Sequence, residues 1–328
     1  MRTRRAILSI SSGLLLFFST GLLYSQPSPA AATETSGCPE ASAAVPFLGI
    51  STLRLWPGDA PGAKGSGCDD IPTLSILRPQ PGQDNGGAII VMPGGAYMGL
   101  AAVLEGREVG DWFASHGFTA FVLRYRLGQK YLLPVPLIDA RRAVQLVRAR
   151  ANDYHLNPNH IGVIGFSAGG NLAGNAETQF VPGKPDAEDP IERASSRPDF
   201  AVLGYPWIGA ISTNTAHLTY CKLMGLLDSG PEKCEALRKL YSPDLFVTKD
   251  TPPTFIYHTT EDQTVPVEQA LSMYNALLKA DVPVEMHIFA KGSHGSGLGG
   301  GSDALDQWPA LLETWLRGEG MMTKTETR

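Results

Sequence analysis

Residues 161–170 read Ile-Gly-Val-Ile-Gly-Phe-Ser-Ala-Gly-Gly, and this stretch decides the fold. The apolar run at 161–166 is typical of a strand buried on both faces, and the residues after Ser167 are compatible with a helix. The small residues around Ser167 permit a sharp turn that lifts its hydroxyl above the sheet. A Gly-x-Ser-x-Gly pattern is weak evidence by itself, because an ordinary strand-to-helix turn could carry an idle serine. Ser167 is therefore a candidate nucleophile that needs partners elsewhere in the chain.

Apolar runs alternate with helical patterns on both sides of this turn. Strands are predicted at residues 73–78, 88–92, 119–124, 161–166, 200–205, 254–259 and 284–289. Helices are predicted at residues 104–115, 139–154, 267–279 and 304–317. This alternation predicts an α/β fold with a doubly wound, mostly parallel sheet. In such sheets ligands bind at the carboxyl ends of the strands, so the residues that follow each strand are the candidate functional residues.

Two residues that follow the late strands can activate Ser167. A serine hydroxyl is a poor nucleophile near neutral pH, so it needs a base, and the base needs an orienting acid. Asp262 follows the strand at 254–259, and His294 lies in the glycine-rich loop after the strand at 284–289. The order Ser, acid, His along the chain is the order found in α/β hydrolases. The sequence therefore predicts Ser167, Asp262 and His294 as a catalytic triad.

Other acidic and imidazole side chains compete for these roles. Glu261 adjoins Asp262, but neighbouring side chains on an extended segment point in opposite directions, so only one of the two can face His294. We favour Asp262. His258 and His287 fall inside strands, where core or surface roles are expected. Three more histidines lie at the opposite end of the predicted sheet, namely His116, His155 and His160.

The segment at 93–97, Pro-Gly-Gly-Ala-Tyr, ends an early strand and supplies candidate donors for the oxyanion of an acyl-transfer reaction. Glycines let backbone N–H groups approach a ligand closely. We assign the donors to the backbone N–H groups of Gly95, Ala96 and Ala168. Without the rest of the triad, an ordinary Gly-Gly turn would explain the segment equally well.

Tyr97 and Trp207 are the candidate substrate-binding residues, because each follows a strand and carries a large aromatic surface. Simple packing is the alternative for both. Glu105 and His217 are expected near the site but receive no role. The segment 207–251 is longer than one crossover helix requires, so we interpret it as an insertion over the site, either a fixed wall or a mobile lid.

The charge and the cysteines limit the classes of partner. The 328 residues include 27 basic and 32 acidic residues, and the formal net charge of −5 argues against nucleic acid or an anionic membrane as a partner. The four cysteines lack the paired spacing of a zinc or redox motif, and we expect neither a metal nor another cofactor. In an oxidising compartment two disulfides are expected, and we favour Cys38 with Cys68 and Cys221 with Cys234 because each closes a short loop. Four buried thiols are the alternative.

The first 32 residues have the pattern of a secretory signal peptide, with three arginines, a mostly apolar run and then small residues. The interrupted apolar run is short for a membrane anchor, so a secreted or periplasmic location is predicted. The Arg4-Arg5 pair resembles a twin-arginine signal, which leaves the export route open. After this leader we predict a linker at 33–48, a catalytic domain at 49–318 and a polar tail at 319–328.

Nine short motifs extend from residue 55 to residue 298. They are Leu-Trp-Pro-Gly at 55–58, Pro-Gly-Gly-Ala-Tyr at 93–97, Glu-Gly at 105–106, Leu-Arg-Tyr-Arg-Leu at 123–127, Asp-Ala-Arg-Arg-Ala at 139–143, Gly-Phe-Ser-Ala-Gly-Gly at 165–170, Thr-Pro-Pro-Thr-Phe at 251–255, Val-Pro-Val at 265–267 and His-Gly-Ser-Gly-Leu at 294–298. Through these motifs, residues 55–316 resemble the acetylxylan or feruloyl esterase-like proteins of the α/β-hydrolase fold.

This resemblance implies hydrolysis of carboxylic esters through an acyl-enzyme, with acetyl or feruloyl groups on a plant polysaccharide such as xylan, or small esters, as substrates. It also favours Asp262 over Glu261 as the acid. Many relatives have a third glycine where Ala96 stands, a change that keeps the backbone donor but narrows the pocket. The Cys221 and Cys234 pair falls in the variable insertion that would shape substrate choice.

Two other functions stay open at this point. The same triad would serve a peptidase or amidase, which only an assay separates from an esterase. A non-catalytic carbohydrate-binding protein on a hydrolase fold is the second alternative, and the intact triad argues against it. The sequence leaves the oligomeric state open.

Overall fold

The computed structural model describes residues 50–128, 130–209 and 231–322. The strands in these ranges are β1 (Thr52–Arg54), β2 (Thr73–Leu77), β3 (Ala88–Met92), β4 (Thr119–Arg124), β5 (Ile161–Phe166), β6 (Phe200–Gly204), β7 (Thr254–Thr259) and β8 (Val284–Phe289). The α-helices there are α1 (Glu108–Ser115), α2 (Val135–Ala149), α3 (Ala168–Thr178), α4 (Pro231–Leu240), α5 (Glu268–Lys279) and α6 (Trp308–Gly318). All seven predicted strands are present. The additional strand, β1, has three residues, which is too short for a sequence pattern to reveal.

The strands form one sheet in the order β1-β2-β4-β3-β5-β6-β7-β8. β2 is antiparallel to both of its neighbours, whereas β4, β3, β5, β6, β7 and β8 are mutually parallel. The central strands β3, β5 and β6 are buried along their whole length, as their continuous apolar sequences predict. The predicted fold class, an α/β fold with a doubly wound and mostly parallel sheet, is confirmed.

Helices cover the sheet on both faces and create two cores. Successive residues of β3 point to opposite faces, so Ile90 enters one core while Ile89 and Val91 enter the other. Residues of α2, α3 and α5 belong to the first core, and residues of α1 and α6 belong to the second. The adjacent strands β3 and β5 are therefore followed by helices on opposite faces. Where the connections that follow two neighbouring strands pass to opposite faces of the sheet, a crevice opens between the carboxyl ends of those strands.

Three predicted helices differ from the observed ones by more than one residue at a boundary. The predicted helix at 304–317 is a 3₁₀ turn, Leu305–Gln307, followed by α6. The predicted helix at 104–115 is a π-helical turn, Ala102–Arg107, followed by α1. The predicted helix at 139–154 starts four residues earlier, at Val135, because proline is tolerated in the first turn of a helix. It ends at Ala149 and is followed by a separate 3₁₀ turn, Ala151–Tyr154.

Several predictions lie wholly or partly outside the described residues. These include the leader at 1–32, the linker at 33–48, His217, and the cysteines Cys38 and Cys221. Neither Cys68 nor Cys234 is a free thiol. The disulfides of Cys68 with Cys38 and of Cys234 with Cys221 stay predictions. At the other end, Met322 is buried against the core, so the packed domain continues past the predicted boundary at residue 318.

Across residues 50–128, 130–209 and 231–322, no helix combines the length and apolar character that crossing a bilayer requires. The same part of the chain contains no group of three or more His, Cys, Asp or Glu residues that could hold a metal ion.

Candidate active site

Ser167 lies on a strained turn between β5 and α3. Its backbone angles, φ 53° and ψ −118°, are unfavourable for an L-residue and persist only where the surroundings fix them. The Ser167 N–H donates to the Gly204 carbonyl (3.1 Å), and the Ser167 carbonyl accepts from the N–H of Trp207 (3.0 Å). A Cβ atom at Gly165 would lie 2.0 Å from the Gly169 carbonyl oxygen, so this turn requires glycine there. The small residues seen in the sequence thus permit the turn that carries Ser167.

The structure brings the three predicted triad residues together. The imidazole Nε2 of His294 lies 2.8 Å from the Ser167 hydroxyl oxygen, and its Nδ1 lies 2.7 Å from the Asp262 carboxylate. Ser167 follows β5, Asp262 follows β7 and His294 follows β8, so all three side chains meet at the carboxyl edge of the parallel sheet. In this arrangement His294 can accept the Ser167 proton while Asp262 orients its ring.

Asp262 is held as a carboxylate by several donors. Its Oδ1 accepts the N–H groups of Thr264 and Val265, both at 2.8 Å, while Oδ2 faces His294. Burial alone would raise the pKa of Asp262, but hydrogen bonds from His258, His294 and the Val265 N–H outweigh it and hold the pKa well below its usual value. His258 is buried as expected. Its Nε2 lies 2.9 Å from the Val265 carbonyl oxygen and 3.5 Å from the Asp262 carboxylate, so the carbonyl is its main partner.

Glu261, the alternative acid, points away from His294. It is exposed, and its carboxylate accepts from the Lys291 ammonium (3.2 Å) and from the N–H of Gly292 (3.1 Å). The opposite directions of neighbouring side chains therefore separate the two acids as expected, with Asp262 facing the imidazole.

The loop after β3 lies directly against the Ser167 turn. Gly95, Ala96 and Tyr97 have positive φ angles of 132°, 55° and 58°, so three successive residues leave the strand in unusual conformations. A Cβ atom at Gly94 would lie 3.0 Å from the Ser167 Cβ. Within the described ranges, the N–H groups of the predicted oxyanion donors, Gly95, Ala96 and Ala168, have no protein acceptor. Such N–H groups beside a nucleophile are available to a ligand oxygen.

The two predicted substrate-binding aromatics differ in their surroundings. Trp207 is half-buried, and its backbone N–H donates to the Ser167 carbonyl, which places its backbone beside the turn. Contact between the Trp207 side chain and substrate stays a prediction. Tyr97 has no exposed surface: its hydroxyl donates to Asn171 Oδ1 (2.8 Å), and its ring packs edge-on against Tyr125. A buried ring with a bonded hydroxyl fits the packing alternative for Tyr97, and its contact with substrate stays a prediction.

Two residues near the site, Glu105 and Tyr205, have no role assigned from the sequence. Glu105 was expected nearby without a role, and its carboxylate is buried between the β3 loop and Tyr205. Tyr205 follows β6 directly, and its ring lies edge-on to the His294 imidazole with 5.0 Å between the ring centroids. In the sequence, the only signal for Tyr205 is its position as the last residue of the strand predicted at 200–205, and many packing residues share such a position.

These contacts place the chain in the α/β-hydrolase class, in which a serine on a strand-to-helix turn meets a histidine and an acid from later strands. The family model described as BD-FAE matches residues 74–277, and the chain belongs to this family. The resemblance seen in the sequence is therefore confirmed.

Named relatives agree with this family. The chain is 32% identical over 241 residues to the acetylxylan esterase of Xylanibacter ruminicola, which covers 72% of this chain and 46% of the relative. It is 32% identical over 232 residues to endo-1,4-beta-xylanase B of Butyrivibrio fibrisolvens, which covers 67% of this chain and 35% of the relative. The chain thus spans less than half the length of these two relatives.

A solved structure matches most of this chain and nearly all of its own. The acetyl ester-xyloside bifunctional hydrolase from Caldicellulosiruptor lactoaceticus is 38% identical, with a TM-score of 0.74. The match covers 83% of this chain and 97% of that chain.

Proposed function

We propose that the protein is a serine carboxylesterase that removes short acyl groups, with acetyl groups on xylan as its main substrate and feruloyl groups as the alternative. The observation that carries this proposal is the continuous hydrogen-bond chain from Ser167 through His294 to Asp262. Relatives named acetylxylan esterase and acetyl ester-xyloside hydrolase support the substrate class.

The proposed reaction has two half-reactions. The Ser167 oxygen attacks the ester carbonyl carbon while its proton passes to Nε2 of His294. The tetrahedral intermediate places its oxyanion against the N–H groups of Gly95, Ala96 and Ala168. When the intermediate collapses, the alcohol leaves with the proton from His294, and the acyl group stays on Ser167. A water molecule, deprotonated by His294, then attacks the acyl carbon and releases the acid.

Asp262 contributes by stabilising the imidazolium that forms in both half-reactions. Its Oδ2 accepts the Nδ1–H of His294, which fixes the tautomer that leaves Nε2 free to accept the serine proton. The N–H groups of Thr264 and Val265 hold the other carboxylate oxygen, so the acid is fixed before substrate binds.

The test is hydrolysis of p-nitrophenyl acetate and butyrate, methyl ferulate, acetylated xylan and a peptide amide by the wild type and by Ser167→Ala. Loss of ester turnover in the variant is the expected result, and the preferred substrate names the acyl group. Ser115→Ala is the matched control, since this exposed serine ends α1 at the other end of the sheet. Equal and negligible ester turnover by wild type and Ser167→Ala would refute the esterase, and turnover of the amide alone would indicate a peptidase.

We also propose that residues 1–32 direct export to the periplasm or the medium. Three arginines followed by a mostly apolar run and small residues support this. Expression with and without residues 1–32, followed by fractionation and N-terminal sequencing of the exported protein, tests it. Retention of the full-length chain in the cytoplasm would contradict the proposal.

A further inference from the structure

Glu105 is a buried carboxylate that lies behind the candidate active site. Only 3% of its surface is exposed, and it is held on the π-helical turn that precedes α1. Its Oε2 accepts the N–H of Gly94 at 2.6 Å, and its Oε1 accepts the hydroxyl of Tyr205 at 2.7 Å. Glu105 therefore joins the loop after β3 to the loop after β6.

Through Tyr205 the same contacts reach the loop that carries His294. The N–H of Gly297, three residues after His294, donates to the Tyr205 hydroxyl oxygen at 3.0 Å. The Gly297 carbonyl accepts from the Tyr257 hydroxyl at 2.7 Å, so two tyrosines hold this residue on both sides. The Tyr205 ring also packs edge-on against the His294 imidazole. Moving Tyr205 would therefore displace the ring that packs against His294 and the loop that carries His294.

On its other side, Glu105 supports the loop that presents the candidate oxyanion donors. Gly94 immediately precedes Gly95 in that loop. A Cβ atom placed on Gly94 would lie 2.7 Å from the Glu105 Oε2 and 3.0 Å from the Ser167 Cβ, so the carboxylate packs against the loop at the point where it meets the nucleophile.

The hydrogen bonds of Glu105 fit a carboxylate rather than a neutral acid. Both of its oxygens accept, and an added proton would displace one of the two donors. Burial raises the pKa of Glu105 above its usual value, and the hydrogen bonds from Tyr205 and Gly94 and the charge of His294 offset only part of this rise. Among the residues that the structure describes, the titratable groups that interact with Glu105 are His294, Tyr205, Tyr257 and Tyr125.

We propose that Glu105 is a positioning residue that fixes the oxyanion loop through Gly94 and the His294 loop through Tyr205, an inference that rests on the proposed esterase function. Its negative charge also favours the protonated imidazole that forms in each half-reaction. The carboxylate of Glu105 binds the Gly94 N–H and the Tyr205 hydroxyl, so it acts through the groups that it holds.

Glu105→Gln tests this with little change in shape. The amide keeps one acceptor oxygen but turns an NH₂ group towards the other donor, and it removes the charge. We expect kcat for p-nitrophenyl acetate to fall about tenfold or more, with KM changed less than about threefold, because geometry in the transition state is lost rather than binding. The acid limb of the pH–rate profile should move to lower pH by on the order of half a unit.

Glu177→Gln is the matched control, because it also replaces a fully buried glutamate but at the amino ends of the strands, where Glu177 accepts from Thr254. It should leave kcat and the pH profile unchanged. If the wild type is active and Glu105→Gln has the same kcat and pH profile as Glu177→Gln, the inference is overturned. Tyr205→Phe is the second variant, since it keeps the ring but loses both hydrogen bonds, and an unchanged kcat would also count against the inference.

A substrate-independent measurement separates this inference from the proposed function. The rate at which a fluorophosphonate labels Ser167 reports activation of the nucleophile whatever ester the protein prefers. If the wild type is labelled but turns over none of the esters, the esterase proposal fails, and slower labelling of Glu105→Gln would still support the positioning role. If the wild type is not labelled at all, both proposals fail.

Discussion

Replacing Glu177 by glutamine is expected to stabilise the folded protein at alkaline pH and to change its stability little at pH 4. Glu177 is fully buried near the end of α3. Its Oε2 accepts from the Thr254 hydroxyl at 2.8 Å, whereas Oε1 has no hydrogen-bond partner among the described residues. Burial raises the pKa of Glu177 to about 8, against the opposing effects of the Thr254 hydrogen bond and the Arg197 charge.

The direction of this pH dependence is set by the state, folded or unfolded, in which Glu177 loses its proton at the lower pH. In the unfolded chain Glu177 ionises near its ordinary value of 4.5, but in the folded protein it stays protonated up to about pH 8. The free energy of unfolding therefore falls as the pH rises between these values and levels off above the higher one. Each pH unit in that window costs about 1.4 kcal/mol, so the loss is about 3 kcal/mol at pH 7 and about 5 kcal/mol above pH 8.

This loss is measurable because whole domains are stable by only about 5–15 kcal/mol. Glutamine cannot ionise, and its amide carbonyl can still accept from Thr254. Urea unfolding of the wild type, Glu177→Gln and the exposed control Glu188→Gln at pH 4, 7 and 8.5 gives the free energies. The advantage of Glu177→Gln over the wild type should grow with pH, while Glu188→Gln follows the wild type. An advantage that is the same at all three pH values would refute the reasoning.

Two further substitutions test the site itself. Asp262→Asn should lower kcat by about 10³- to 10⁴-fold, because the amide no longer fixes the required tautomer of His294. Steady-state kinetics measure this loss, and an unchanged circular dichroism spectrum shows that the variant is folded. A loss under tenfold would contradict the role assigned to Asp262. Gly94→Ala should abolish turnover, since its Cβ would lie 2.6 Å from the Phe166 carbonyl oxygen and 3.0 Å from the Ser167 Cβ, whereas Gly99→Ala in the same loop meets no atom within 4 Å and should keep activity. Equal activity of these two alanine variants would show that the loop adapts freely.

The sequence predicted the sheet and the triad because both follow from local patterns. A continuous apolar run marks a buried strand, and a polar residue that follows it marks the carboxyl edge of the sheet. Ser167, Asp262 and His294 each fit that description, and their order along the chain matched the fold. The alternation of neighbouring side chains predicts that only one of Glu261 and Asp262 can face His294, and the resemblance to the esterase family favours Asp262.

The network around Glu105 could not be predicted in the same way. Glu105 and Tyr205 are one hundred positions apart, and the π-helical turn that points the carboxylate inwards has no signature in the sequence. Tyr97 was assigned to the pocket because it follows a strand, but its side chain is buried and its hydroxyl bonds to Asn171. In both cases the deciding contact is a side-chain hydrogen bond between segments that only the folded chain brings together.

The two buried glutamates show why burial alone does not identify a functional carboxylate. Glu105 and Glu177 are both inside the protein, and burial raises the pKa of each. Glu105 receives one donor on each oxygen and lies beside His294, where a negative charge has a partner during the reaction. Glu177 receives a single hydroxyl and is more stable as a neutral acid. The donors around a buried carboxyl therefore decide which charge it carries, and the pH dependence of the two glutamine variants, in activity for one and in stability for the other, separates these cases.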